Sequence, residues 1–530
     1  MRKQDFALEV QELLKLYAAH PQVTALDTLL KNDTSRNIFL KGLNGSGPAM
    51  TIASLFTKGR GSYVCVLNDQ EEAGYFYHDL MQLTASDEVY FFPSAYRRAI
   101  KYGHVDPANE ILRTEVLSRL QDPDASFVIV TYPDALAERV VAREVLKENT
   151  LKISVGEKLD NMFVSDVLDE YGFEQVDYVY EPGQYALRGS ILDVFSFSNE
   201  FPYRIDFFGD EVETIRTFDV ETQLSKEKLD SIYIVPEMSK NTKDSTSLLG
   251  SLPRNTCIAA RDLAWCKERI GSVWNDDPVV ADEESFADID QMRKKLVRGE
   301  DFLREVLDFR RIHFGARPMG TADATIHFST QTQPIYHKNF DRVSESFHKY
   351  LDEGYTLYIL SDQEKQANRI RMIFEDRGDN IPFTAVNRTI HEGFADDTLR
   401  ICFFTDHQLF DRFHKFNLKS DKARSGKITL SLKELNQFSQ GDYIVHIDHG
   451  VGQFGGLVRT EVNGKMQEAI KLIYQNNDII FVSIHSLHKL SKYKGKESGE
   501  PPKLSKLGTG AWEKMKERTK AKVKDIARGL

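Results

Sequence analysis

The chain of 530 residues has only four cysteines, and no apolar run in it is long enough to cross a membrane. Cys65, Cys257, Cys266 and Cys402 are scattered, with no C-x-x-C pair among them. This spacing argues against a disulfide framework and against a zinc site. The first residues also lack the apolar core of a signal peptide. We therefore expect a cytoplasmic protein with reduced thiols and no membrane partner.

Positive charge is scarce over most of the chain. Residues 1–440 contain 53 Lys and Arg against 70 Asp and Glu, whereas residues 441–530 contain 16 against 10, and the net charge is −11. The acidic body argues against a continuous nucleic-acid track over most of the surface. The basic final segment could contact nucleic acid, but such a run is more often the solvated face of a helix.

A glycine-rich loop lacks the residues that would bind Mg-ATP. A working phosphate-binding loop has the pattern G-x-x-x-x-G-K-[ST], in which the Lys reaches the β- and γ-phosphates and the hydroxyl holds Mg²⁺. Here Gly42, Gly45 and Gly47 provide the glycine frame, but Pro48 replaces the Lys and Ala49 replaces the hydroxyl residue. The loop indicates a nucleotide site without its chemistry, although an ordinary strand-to-helix turn can also use such glycines.

Strand-like and helical patterns alternate around and after this loop. Strand-like runs occur at 38–40, 63–67, 89–92 and 127–131, with helical patterns at 49–56 and 111–120. Such alternation is typical of a parallel α/β sheet. We therefore predict a parallel α/β domain that contains the degenerate loop.

The later segments show other sequence patterns. Residues 185–197 and 203–218 alternate with period two, and Gly209-Asp210 is a hairpin turn signal, which predicts a small and mostly antiparallel module. The stretch 292–314, dense in Lys, Arg, Glu and Leu, predicts a long amphipathic helix. Residues 335–425 read as a second small α/β unit. Short strand-like runs within 437–490, with Asn463-Gly464 as a hairpin turn, predict a small β-barrel.

These patterns together predict a multidomain α/β and α+β chain. Its parts are a parallel α/β domain with a degenerate P-loop, an inserted small β-rich domain, a second small α/β domain, and a C-terminal SH3/Tudor-like β-barrel followed by a helix. About three to five domains agree with the length. The predicted boundaries are 1–135, 136–224, 225–330, 331–430, 437–508 and 509–530.

Three separate stretches carry a family resemblance. The sequence GQYALRGSILDVF at 183–195, followed by YRIDFFGDE at 203–211, resembles the signature shared by UvrB and the bacterial transcription-repair coupling factors (Mfd), and FFPS at 91–94 matches another piece of it. The sequence GDYIVHIDHGVG at 441–452 resembles the RNA polymerase-interacting domain of the coupling factors, which UvrB lacks. UvrB also has an intact Lys-Thr in its P-loop. The resemblance therefore identifies the chain as the N-terminal portion of a coupling factor.

The resemblance implies that the inserted domain recruits UvrA. The positions that match the family's exposed UvrA patch are Arg188 and Phe195, with Asp193 and Arg204 nearby. An arginine fork beside an aromatic anchor is a common hot-spot pair. The residues alone favour another interpretation, in which Phe195 is core and Arg188 pairs locally with Asp193. Another basic contact of the family is replaced here, with Glu174 in the aligned stretch.

The resemblance also implies that the β-barrel docks on the β subunit of RNA polymerase through a strand edge. The candidates are Glu468, Ile470 and Leu472, of which the last two share one face by alternation. The alternative is that this face is the core of the barrel. His446 and His449, with Asp448 between them, offer only three ligands, so we expect no metal site.

The sequence contains no catalytic constellation, so we expect a monomeric adaptor that needs no cofactor. The resemblance implies that the whole protein is an ATP-dependent double-stranded DNA translocase, with ATP and Mg²⁺ bound in motor domains outside this sequence. It would displace stalled polymerase and bring UvrA to the lesion. The alternatives are a UvrB-type damage-loading ATPase, against which Pro48 and Ala49 argue, and a free-standing transcription regulator that uses only the barrel.

Overall fold

The fold is taken from a computed structural model of the chain. It describes residues 9–32, 35–59, 61–95, 107–122, 124–220, 222–237, 245–275, 293–412, 416, 418, 438–446, 448–462, 465–483, 490–493, 502–507, 512, 514–516 and 518. By contact density the chain forms two compact units. The first comprises Met1–Lys152, Phe197–Asn199 and Tyr233–Ser420, and the second comprises Ile153–Ser196, Glu200–Ile232 and Asp421–Leu530.

Helices and strands alternate in the first part of the chain, as the sequence predicts. The helices are α1 (Val10–Ala18), α2 (Pro21–Lys31), α3 (Gly47–Gly59), α4 (Gln70–Thr84), α5 (Pro107–Arg119), α6 (Pro133–Leu136) and α7 (Arg143–Glu148). The strands are β1 (Asn37–Lys41), β2 (Ser62–Val66), β3 (Val89–Phe91), β4 (Phe127–Thr131), β5 (Val140–Val141) and β6 (Leu151–Ser154).

The middle of the chain is rich in strands. It contains α8 (Asn161–Glu170), β7 (Glu174–Gln175), β8 (Gln184–Arg188), β9 (Ile191–Val194), β10 (Tyr203–Phe208), β11 (Glu211–Phe218), β12 (Ser225–Leu229), β13 (Ser231–Ile234) and β14 (Ser245–Thr246). There follow α9 (Leu248–Ser251), β15 (Cys257–Ala260), α10 (Leu263–Asn275), α11 (Gly299–Val306), β16 (Arg310–His313), β17 (Ala324–His327) and β18 (Thr330–Thr332).

The last part contains an α/β segment and then a run of strands. The α/β segment comprises α12 (Phe340–Asp352), β19 (Thr356–Leu360), α13 (Glu364–Asp376), β20 (Thr384–Val386), β21 (Phe394–Asp396), β22 (Ile401–Thr405) and α14 (Asp406–Leu409). The later strands are β23 (Tyr443–His446), β24 (Gly450–Val462), β25 (Lys465–Ile473), β26 (Ile479–Ser483) and β27 (Leu490–Lys492).

The first sheet has seven parallel strands in the order β17-β1-β16-β15-β2-β4-β3. Its inner strands are buried apolar runs, as expected of a parallel sheet that is covered on both faces. The parallel α/β prediction is confirmed. β15, β16 and β17 come from a segment that begins at Cys257, so the first sheet is completed by chain that follows the middle strands.

The second sheet, also in the first unit, has the order β18-β21-β22-β19-β20. Its parallel core is β22-β19-β20, and β21 pairs in antiparallel fashion with both β22 and β18. One of its faces packs on α12 and α13, whose apolar residues include Phe347 and Ile370. On the other side, Phe394 and Phe403 belong to the core of the first sheet, so the two sheets share one apolar core.

In the second unit, β7 to β12 form one sheet in the order β12-β11-β10-β9-β8-β7, which we call the middle module together with α8. Its strands are antiparallel apart from the β7–β8 pair. The predicted hairpin at Gly209-Asp210 is confirmed, since Phe208 pairs with Glu211 and Gly209 has a φ of 64°. Tyr185, Leu192 and Ile205 are among the buried residues of this sheet.

The strands β23 to β27, which we call the C-terminal sheet, are antiparallel in the order β26-β25-β24-β23-β27. Asn463-Gly464 lies outside the described residues, but Val462 pairs with Lys465 across it. Most of the helix predicted after this sheet also lies outside the described residues. Among the described helices, none is both long enough and apolar enough to cross a bilayer.

The prediction of one long helix over 292–314 is wrong. Within this stretch α11 ends at Val306, and the chain then enters β16, where Arg310–His313 pairs with both β15 and β1. The Lys- and Arg-rich composition favours a helix locally. Pairing on both edges inside the first sheet overrides that preference.

Candidate functional site

The glycine-rich loop joins β1 to α3, where a phosphate would sit in a nucleotide-binding domain. Gly42 and Gly45 have φ angles of 90° and 52°, which glycine adopts without strain. Two of the loop amides are bonded to acceptors of the second sheet or of the segment before β21: the N–H of Asn44 donates to Thr330 Oγ1 at 2.9 Å, and the N–H of Ser46 donates to the carbonyl of Glu392 at 3.1 Å. Pro48 removes a further donor because it has no N–H.

The cavity beside this loop is acidic. It has a volume of about 420 Å³. Its charged or titratable lining residues are Asp69, Glu71, Glu72, Asp79, Glu392, His391 and Arg261. Arg261 is already paired with Glu72 at 2.8 Å. Carboxylates repel a triphosphate, so the lining opposes nucleotide binding in addition to the loss of the Lys.

Asp79 is the carboxylate nearest the loop. Burial raises its pKa to about 7, although Ser46 Oγ donates to it at 2.5 Å and the N–H of His391 donates at 2.6 Å. Both bonds favour the charged form, so desolvation outweighs them. Asp79 is thus a buried carboxyl group that is bonded to the loop through Ser46 and holds the loop in place.

The predicted UvrA residues are brought together in the middle module. Asp193 on β9 is almost fully buried, with 1% of its side chain exposed. It accepts hydrogen bonds from Arg204 Nε at 2.7 Å and from Arg204 Nη2 at 2.8 Å, and it also pairs with Arg188. The bidentate geometry makes this a strong charged cluster.

Arg188 is the accessible member of the cluster. Its side chain is 34% exposed, donates to the carbonyl of Asp177 at 2.7 Å and lies over the ring of Tyr178, 4.9 Å from its centroid. Arg204 is more enclosed and lies 4.2 Å from the ring centroid of Phe218. The local pairing of Arg188 with Asp193, which the sequence offered as the alternative, is thus present, and it leaves part of the guanidinium open to solvent.

Phe195 has a different environment. It is 3% exposed, which agrees with the alternative interpretation that Phe195 is a core residue. It therefore supports the sheet and offers no surface for a partner in this conformation. Sequence reasoning missed exposed apolar residues of the module, which include Met162, Phe163, Phe208 and Leu224. Phe208 carried a signal, because it directly precedes the hairpin turn, where side chains usually face water.

The two apolar candidates of the C-terminal sheet are core residues. Ile470 and Leu472 on β25 are both fully buried, with Ile444 and Phe454 in the same cluster. The prediction that they contact RNA polymerase directly is therefore contradicted by their burial, and the core alternative holds. The backbone of Glu468 pairs with that of Arg459, and its side chain lies outside the described part.

The opposite face of the same strands is the accessible one. Lys471 pairs with Phe481, and Ile473 pairs with Ile479, so these four residues share a face. Phe481 is 51% exposed and Ile479 is 46% exposed. β26 is also at one end of the strand order of the described sheet. Alternation along β25 could have found this face by placing Lys471 outward and its neighbours inward.

The histidines at 446 and 449 are close together. Their ring centroids are 4.5 Å apart, and His446 Nδ1 accepts a hydrogen bond from the N–H of Asp448 at 3.0 Å. This bond orients the ring from the backbone and does not use the Asp448 carboxylate. Within the described ranges, no group of three or more His, Cys, Asp or Glu is arranged to hold a metal ion.

Two family models match segments of the chain. The model described as UvrB interaction domain matches residues 151–239, and the model described as CarD-like/TRCF RID domain matches residues 438–494. The first covers the middle module with Arg188 and Asp193, and the second covers the C-terminal sheet from its first described strand.

Curated relatives match nearly the whole chain. The transcription-repair-coupling factor of Staphylococcus aureus (strain bovine RF122 / ET3-1) is 24% identical over 594 residues, which cover 96% of this chain and 50% of that protein. The transcription-repair-coupling factor of Bacillus subtilis (strain 168) is 24% identical over 570 residues, which cover 93% of this chain and 48% of that protein. The chain therefore spans about half the length of the curated relatives that it matches.

Proposed function

We propose that this chain, a relative of the transcription-repair-coupling factors with a UvrB interaction domain and a CarD-like/TRCF RID domain, is an adaptor that joins UvrA to RNA polymerase stalled at DNA lesions. The observation that carries the proposal is the presence of both domain types in one chain, at residues 151–239 and 438–494. A protein that connects two machines needs one surface for each. The middle module and the C-terminal sheet each have an accessible face.

We also propose that the whole protein is an ATP-dependent double-stranded DNA translocase. The relatives are about twice as long as the part that this chain matches, which leaves room for motor domains that bind ATP and Mg²⁺. In this chain Pro48 and Ala49 replace the two residues that hold phosphate and Mg²⁺, so its own role is binding without a cofactor. We assign it to the cytoplasm as a monomer.

Binding to UvrA tests the adaptor role directly. We expect the purified chain to bind purified UvrA, and we expect Arg188→Ala to weaken that binding roughly 10- to 30-fold, as truncation of an interfacial hot spot does. Arg188 is the only one of the four predicted residues whose guanidinium or ring is substantially accessible in the described module, and its fork can pair with a carboxylate of the partner. Surface plasmon resonance measures the affinity.

The matched control for Arg188 is Arg216→Ala. Arg216 lies on the same face of the module, is similarly exposed and forms an ion pair with Asp206 at 2.6 Å. We expect this variant to bind UvrA within about threefold of the wild type, because surface ion pairs contribute little. Equal losses in both variants would assign binding to the charge of the whole face, and no binding by the wild-type chain would remove the UvrA half of the proposal.

The exposed face of β25 and β26 is the surface we propose for the β subunit of RNA polymerase. We expect Phe481→Glu to weaken binding to the polymerase about tenfold or more, because it places a charge where an apolar ring is half exposed. The control is Leu457→Glu, an exposed residue that pairs with Ile470 and so lies on the other face. Co-sedimentation with purified polymerase measures both. A loss with Phe481→Glu no larger than that with Leu457→Glu would remove this face as the polymerase site.

A further inference from the structure

The glycine-rich loop is enclosed on two sides by the second sheet. On one side is Thr330, the first residue of β18, and on the other is Glu392, which precedes β21. Thr330 Oγ1 accepts from the N–H of Asn44 at 2.9 Å and donates to the carbonyl of Gly42 at 2.7 Å. Asn44 Nδ2 also donates to the carbonyl of Thr330 at 2.8 Å. The first half of the loop is thus bonded to β18.

The second half of the loop is bonded to Glu392 through the backbone of that residue. The N–H of Ser46 donates to the Glu392 carbonyl at 3.1 Å, and the N–H of Glu392 donates back to Ser46 Oγ at 3.0 Å. Ser46 Oγ also donates to Asp79, which accepts from the N–H of His391. These four groups form a closed network between the loop, α4 and the second sheet.

Glycines make this close approach possible. A Cβ on Gly45 would lie 2.8 Å from the carbonyl oxygen of Gly393 and 3.1 Å from that of Glu392. A Cβ on Gly393 would lie 2.1 Å from the carbonyl oxygen of Phe403. The loop and the segment that fills it are therefore fitted to each other at the level of the backbone.

The contact continues into a buried core. His20, which precedes α2, lies 3.1 Å from Asp396 on β21 through Nε2 and Oδ2, and both side chains are fully buried. Tyr17 packs edge-on against Phe394, with ring centroids 6.3 Å apart. The loop contact thus lies at the edge of a buried interface. The segment from His391 to Gly393 is held by the loop and, through the residues that follow it, by the buried contacts of Phe394 and Asp396.

We propose that the degenerate phosphate-binding loop is an intramolecular docking cradle for the second sheet. The carbonyl of Glu392 and the hydroxyl of Thr330 take the acceptor positions that phosphate oxygens take in a nucleotide-binding loop. The ligand of this loop is a backbone segment of the same chain, from His391 to Gly393. This assigns a role to the loop and to the second sheet, which the sequence left without one.

Restoring the two missing P-loop residues distinguishes an occupied loop from one that lacks only its Lys and its hydroxyl. If the missing Lys and hydroxyl alone prevent binding, the double variant Pro48→Lys/Ala49→Thr should bind Mg-ATP. If the cradle is occupied, the double variant still fails, because the Ser46 amide is bonded to Glu392 and the cavity is lined by carboxylates. We expect no binding with a Kd below about 1 mM by isothermal titration calorimetry on the full 530-residue chain. Binding tighter than that would overturn the proposal.

Hydrogen exchange tests the cradle without nucleotide and keeps the proposal falsifiable if the double variant does not fold. We expect Ser46→Ala to speed exchange about tenfold in peptides covering 42–50 and 388–396 together, because it removes the bond from the Glu392 N–H to Ser46 Oγ and the bond from Ser46 Oγ to Asp79, which itself accepts from the N–H of His391. The control is Ser54→Ala in α3, where the buried hydroxyl donates to the carbonyl of Met50, four residues earlier in the same helix. Faster exchange at 42–50 alone, with 388–396 unchanged, would show that the loop does not hold the second sheet.

Discussion

Replacing Asp193 with alanine is expected to destabilise the middle module by about 3–5 kcal/mol. The buried carboxylate pairs with two arginines, and Arg204 bonds it through both Nε and Nη2. Removing it leaves the guanidinium of Arg204 enclosed beside Phe218, with Gln223 as the remaining hydrogen-bond partner among the described contacts. An enclosed charge without its counter-charge costs more than the pair contributes. Native-state hydrogen exchange of β8 to β11 measures the loss.

The control for this variant is Asp206→Ala on the neighbouring strand β10. Asp206 also pairs with an arginine, Arg216, but both side chains are more accessible than Asp193 and Arg204, so water can replace the lost partner. We expect a loss of about 1 kcal/mol or less. If Asp193→Ala lowers the stability of the module no more than Asp206→Ala does, the burial of the Asp193 cluster does not add to its contribution to stability.

The stability of this cluster also determines which variants can be interpreted in the proposed UvrA binding experiment. Arg188 is the third member of the cluster and the most exposed one, so Arg188→Ala leaves Asp193 with both bonds from Arg204. Its effect on the fold should be small and its effect on a partner large. Variants at Asp193 or Arg204 would lower binding through the fold, and they cannot locate a contact surface.

The sequence predicts local features of the fold well. Strand-like patterns located β1, β2 and β4 within about two residues, because such patterns depend on neighbours along the chain. The order of the strands within a sheet cannot be predicted from such local patterns. β1 lies between β16 and β17, whose residues are more than 250 positions away, and no local pattern carries that information.

The errors have the same origin. Arg310–His313 looks helical by composition but is an inner strand, because its partners on both edges come from distant segments. Alternation placed Ile470 and Leu472 on one face correctly, but it could not say which face was covered. In the glycine-rich loop the sequence showed which groups were lost. It could not show that Glu392, about 350 residues later, fills the site.

Gly42→Ala is expected to destabilise the first unit by about 2–5 kcal/mol, through backbone strain and overpacking. Gly42 has a φ of 90°, and a Cβ there would lie 2.2 Å from the carbonyl oxygen of Phe328, the residue after β17. Phe328 cannot retreat easily, because its N–H donates to the carbonyl of Lys41 at 2.8 Å. This glycine is therefore required by a contact between two backbones, whether or not a phosphate was ever bound. Hydrogen exchange in β1 and β17 reports the loss.

Gly59→Ala is the matched control for this substitution. Gly59 ends α3 with an ordinary φ, and a Cβ there would have no heavy atom within 4 Å. We expect a change within about 1 kcal/mol, in the stabilising direction, because alanine restricts the unfolded chain more than glycine does. If Gly42→Ala proves as mild as Gly59→Ala, the approach of Phe328 does not require a glycine at position 42.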